Sequence, residues 1–96
     1  MALDFTPLEE SGVTQTEFSR MLGVSRMSIH HWRRGAEPHP LMRRHAQLLL
    51  DDLQEAITKG LLPQRLADLP PTRTNMEERW HIIHDVLPQR ADPAAG

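Results

Sequence analysis

Two short helical stretches joined at a glycine constrain this chain more than any other feature of it. Residues Val13 to Gly35 read VTQTEFSRMLGVSRMSIHHWRRG. Thr14-Gln15-Thr16-Glu17 places a hydroxyl three residues before a carboxylate, the spacing of a capping box, so a helix starts there. Gly23 can take the left-handed conformation that closes a helix and turns the chain sharply. Ser25 then offers its hydroxyl as the cap of a second helix. The expected helices run from Gln15 to Leu22 and from Arg26 to Arg34, with Gly35 as the stop. On helical wheels Phe18, Met21 and Leu22 share one side of the first. Ile29 and Trp32, about 60° apart, define the buried side of the second. Val24 is expected inside the turn.

The opposite side of that second helix carries Met27, His30, His31 and Arg34, with Arg26 and Arg33 on its flank. It holds donors and one flexible apolar side chain, but no acid. A face that only meets water usually includes glutamate, whereas a helix surrounded by phosphates avoids carboxylates. The formal net charge of −2 argues against a nucleic-acid partner when taken alone. Its distribution argues the other way. Residues 13–45 hold six arginines against two glutamates, between acidic flanks. A positive middle can attract phosphate locally.

The residues of this stretch resemble the helix-turn-helix of Cro/cI-type (Xre-family) phage repressors. The resemblance rests on Gln15 and Glu17 at the start of the first motif helix and on the small Ser19. It rests also on the Leu22-Gly23-Val24-Ser25 turn and on Ile29, Trp32 and Gly35. It covers about residues 5–50 and is best over 13–35. It implies an all-α, lambda-repressor-like bundle that binds double-stranded DNA as a homodimer. In such a protein Gln15 and Thr16 would meet phosphate at a helix start. Arg26, Met27, Ser28 and His31 would face base edges, arginine suiting guanine and Met27 a thymine methyl. His30, Arg33, Arg34 and Arg43 would lie against the phosphates. Family members often carry amides where Met27 and His31 stand, so the bases recognised stay open.

The rest of the chain supports that motif. Thr6-Pro7-Leu8-Glu9 has a capping residue and a proline at the first helical position, so a short helix starts there and ends at Gly12, with Phe5 and Leu8 as core candidates. Pro38 and Pro40 make the next segment a connector. A long helix is expected from about Leu41 to Lys59. Its apolar residues cover more than half its circumference, beyond the ~100° stripe that a small core requires. Residues 1–60 are therefore read as the DNA-binding domain and 61–74 as a linker. Thr74-Asn75-Met76-Glu77 is a second expected capping box. Beyond it Met76, Trp80, Ile83 and Leu87 recur at helical spacing, so 75–88 reads as an extra C-terminal amphipathic helix. An isolated helix of this length is marginal in water and needs a partner surface. It can complete its own subunit's core on the 41–59 helix or swap across to a partner; dimerisation is the favoured role, with Leu49, Leu53, Ile57, Trp80, Ile83 and Leu87 as the pairing residues. Residues 89–96 read as a disordered tail.

Other chemistry finds little footing. There is no cysteine, hence no disulfide, thiolate or cysteine-bound zinc. Six histidines are present, but zinc needs three or four converging ligands, and His30 and His31 diverge by about 100° on a helix. No phosphate-binding glycine loop or paired carboxylate is legible, so neither a metal, a cofactor nor an enzyme is expected. The N-terminus lacks the basic start and apolar stretch of a signal peptide, which points to an intracellular protein; the resemblance implies the bacterial cytoplasm, in a phage or prophage setting. Two other readings stay open. One is a DNA-packaging or recombination accessory protein, such as a small terminase subunit or excisionase. The other is an antitoxin or protein-interaction module acting through residues 41–87.

Overall fold

Local capping chemistry sets nearly every helix boundary in the computed structural model, which describes residues 3–88. Five α-helices follow one another: α1 (Thr6–Ser11), α2 (Gln15–Leu22), α3 (Arg26–Arg33), α4 (Pro40–Thr58) and α5 (Met76–Val86). Among the described residues there is no strand, and the fold class is all-α. No helix of the described residues is long and apolar enough to cross a membrane.

The capping box of α2 forms as its spacing requires. Thr14 Oγ1 accepts from the Glu17 N–H at 3.1 Å, and Glu17 Oε1 accepts from the Thr14 N–H at 3.0 Å. At the other end Gly23 sits at φ 74°. Its N–H donates to the Arg20 carbonyl and that of Val24 to the Ser19 carbonyl, the paired bonds of a Schellman turn. Ser25 caps α3 by accepting from the Ser28 N–H at 3.1 Å. The long helix starts one residue earlier than expected, with Pro40 in its first turn. The His39 ring nitrogen Nδ1 accepts from the Leu41 N–H at 3.2 Å.

Two expected caps are replaced by other devices. Thr6 lies inside α1 rather than before it, and Asp4 Oδ1 accepts from both the N–H and the hydroxyl of Thr6, at 3.0 and 2.6 Å. Thr74 makes no capping box, because a 3₁₀ turn over Arg73–Asn75 leads directly into α5. Asn75 instead donates its side-chain amide to the Pro70 carbonyl at 3.0 Å.

One apolar cluster runs through the whole described chain. Leu8, Phe18, Ile29, Ala46, Leu50, Leu53, Leu62, Leu66 and Ile83 all belong to it, so residues from every helix share a core. Residues 61–74 are therefore not a linker between two units. Leu62 and Leu66 are buried, and a 3₁₀ turn at Gln64–Leu66 packs against α5. The same packing takes Leu53, Ile83 and Leu87 out of the expected pairing surface. Leu53, Ile83 and Leu87 are buried inside their own chain, and Leu49 and Ile57 lean on the same core. Trp80 is half-buried beneath the Arg20 guanidinium, 4.5 Å from its ring centroid. The apolar face of α5 docks in cis because nearby segments of its own chain supply the surface a short helix needs. The tail expected at 89–96 lies outside the described residues.

Candidate nucleic-acid interface

The site is built where α2 begins beside the outer face of α3. Thr14, Gln15, Thr16, Arg26, Met27 and His30 line one open cleft. The Schellman turn at Gly23 reverses the chain tightly enough to bring the start of α2 alongside α3, and the two helices pack on each other. Burial of Phe18 and Ile29, both fully enclosed, fixes which sides face outward. Met27 is left 60% exposed at the edge of the cleft.

Several hydrogen-bond donors gather at the cleft. The Thr14 hydroxyl and carbonyl take up the N–H groups of Glu17 and Phe18. Those of Gln15 and Thr16 have no intrahelical acceptor, as at any helix start. They are joined by the side chains of Gln15, Arg26 and His30. Arg26 and Arg34 form no ion pair among the described residues. The one carboxylate nearby, that of Glu17, is buried and turned away from the cleft onto Arg79. The cleft mouth can thus receive a negatively charged or hydrogen-bond-accepting ligand at two helix elements at once.

Not all sequence-selected residues meet there. Ser28 is half-buried and within 3.1 Å of the Ser25 hydroxyl, at the start of α3. His31 is exposed further along the same helix and Arg34 just past its end, which falls one residue earlier than expected; the His30 and His31 rings stand edge to face at 5.9 Å. Arg33 pairs with Glu9 of α1 and lies over the Phe5 ring. Arg43 pairs with Glu37 at 3.1 Å. These last two arginines are engaged by carboxylates of their own chain. Among the described residues no cluster of three or more potential ligands could hold a metal ion.

Behind the cleft stands a group that the sequence reading passed over. Arg79 of α5 is 2% exposed and Glu17 is fully buried. The Arg79 Nε donates to Glu17 Oε2 at 3.1 Å and its Nη2 to Glu17 Oε1 at 2.9 Å, a two-pronged ion pair. The remaining donors reach the Leu69 and Gly12 carbonyls, each at 2.7 Å. Burial pushes the Glu17 pKa up, but the hydrogen bonds from Arg79 and Thr14 and the arginine's charge outweigh it. The carboxyl is held below its ordinary value. A signal for this pair did exist. Arg79 falls between Met76 and Ile83 on the apolar stripe of its helix, where a charge needs a partner.

No family model matches the chain, and no curated protein or solved structure matches it either.

Proposed function

We propose that this protein is a sequence-specific DNA-binding regulator of the Cro/cI kind, acting in the bacterial cytoplasm as a homodimer on a near-palindromic operator. One observation carries the reading. The outward face of α3 is free of carboxylate, exposes Met27, and shares a cleft with the donor-rich start of α2. In this reading α3 lies in the major groove, with Arg26, Met27 and His31 toward base edges. Gln15 and Thr16 anchor to phosphate across the groove wall. Two copies would place their recognition helices about 34 Å apart, on successive faces of the groove. Occluding a promoter is the simplest way for such a protein to regulate.

Selection of bound sequences from random duplex DNA tests the proposal. Enrichment of an inverted repeat is expected, and recovery of no common sequence would overturn it. Two variants separate reading from anchoring. Met27→Gln should change the preferred bases, by about 1–3 kcal/mol at the affected position. Arg34→Ala should weaken binding to all sequences alike and lower the salt slope by about 1. Quantitative gel retardation over a salt series measures both.

A further inference from the structure

The outer face of α4 carries the apolar surface that the core leaves uncovered. Ala46, Leu50, Leu53 and Ala56 line the buried side of this helix. Leu41 is 59% exposed and Leu48 39% exposed. They stand seven residues apart, and so about 20° apart around the axis. Leu48 also borders a shallow recess of mixed character, lined by Met21, Leu22 and Leu49 together with His45 and Asp52. Glu55, a further seven residues on, falls on the same line, and Arg44 and Asp51 share a flank of it.

The charges along this helix are segregated by sign. Arg43, Arg44 and His45 occupy its N-terminal half, which holds no acid. Asp51, Asp52 and Glu55 occupy its C-terminal half, which holds no lysine or arginine before Lys59. Such a helix complements a second copy of itself only when the two run antiparallel, since a parallel pairing would set like charges together. Arg44 has no ion pair within the described residues. Asp51 accepts from its own Gln47 at 3.0 Å and Glu55 pairs with Lys59 at 3.3 Å, exposed contacts of the weak kind that a partner can share.

We propose that a second copy of this chain docks on α4, with the two helices antiparallel about a two-fold axis at Leu48. On that axis Leu48 meets its counterpart in the other copy. A two-fold of this kind keeps each flank on its own side, so Arg44 of one copy faces Asp51 of the other, twice over, with Glu55, opposite Leu41, beside it. The pairing is isologous and closes as a dimer. It replaces the residues of α5 as the pairing surface and supplies the symmetry on which the operator reading rests. It stands on α4 alone and needs no property of α3.

Charge reversal in two complementary variants tests the proposal, by sedimentation velocity without DNA from micromolar to submillimolar concentration. The wild type should be dimeric. Arg44→Glu should set acids against acids, and Asp51→Lys with Glu55→Lys should set bases against bases. Each alone should dimerise at least about tenfold more weakly. Mixed in equal amounts, the two should form a heterodimer, because every contact across the axis is then between opposite charges. A folding defect would not be rescued by mixing, and circular dichroism melting of each variant checks that independently. A monomeric wild type, a larger ring, variants that still self-associate, or a mixture that stays monomeric would overturn the proposal. Failure of DNA selection with the dimer and its charge swap intact would instead overturn the operator reading and leave this pairing standing.

Discussion

A buried carboxylate is expensive unless a cation meets it with hydrogen bonds, and Glu17 is met by one that uses both of its oxygens. The geometry makes removal of one partner far worse than removal of both. Arg79→Met should cost about 3–5 kcal/mol, because Glu17 is left charged in a dry site. That is a large share of the roughly 5–15 kcal/mol that holds a domain together. Replacing Glu17 and Arg79 together with apolar residues of similar volume should cost much less. Urea unfolding of the two variants and the wild type measures the difference. The pair also sets an acid limit. The folded pKa of Glu17 lies below its ordinary value of 4.5, so its contribution is present above that pH and is lost as pH falls through the folded value. Wild-type stability should therefore drop as pH is lowered from 5 toward ~3, and Glu17→Gln should flatten that drop. Because Glu17 also holds the Thr14 N–H, this ion pair positions the start of α2 and with it the cleft.

At the scale of elements, turns and caps decide where helices point. Gly12 and Gly23 both hold positive φ, at 81° and 74°. Alanine at either site meets the strain of a left-handed backbone, about 1–2 kcal/mol. The surroundings then separate them. A Cβ at Gly23 meets nothing within 4 Å, whereas one at Gly12 comes within 3.3 Å of Pro63 Cβ. Gly12→Ala should therefore be the more destabilising of the two, and thermal melts of the pair check the order. Gly23→Ala bears on the site instead, since it bends the turn that sets α3 beside α2. These elements were legible from sequence because a cap or a glycine turn involves residues three or four apart. The caps of α1 and α5 were misread for a local reason. Asp4 and the turn at Arg73–Asn75 each supply what Thr6 and Thr74 were expected to supply.

For the whole molecule, the shared core makes the C-terminal segment part of the same cooperative unit. Leu62, Leu66, Ile83 and Leu87 contribute to one cluster with Phe18 and Leu50. A chain ended at Gly60 would lose those side chains and leave Glu17 without Arg79. It should fail to unfold as a single cooperative transition, and should give the weak, broad near-ultraviolet signal of a loosely packed state. A linker and separate dimerisation helix, as the sequence pattern suggests, would leave the shorter chain folded. The surplus apolar surface of α4 was legible from the wheel, and its two destinations were not. Part of it faces the core, and Leu41 and Leu48 stay outside.

By itself the sequence determined the all-α class, the turn between α2 and α3, and the acid-free face of α3. Each follows from helical periodicity or from hydrogen bonds within one turn. Tertiary structure alone decided that Glu17 and Arg79, 62 positions apart, form one ion pair, that α5 packs in cis, and that Arg33 and Arg43 are taken up by Glu9 and Glu37. Those outcomes depend on how distant segments settle against each other while filling a single core. No spacing rule along the chain encodes that settlement, because a charge or an apolar stripe states its need for a partner without saying which residue will meet it.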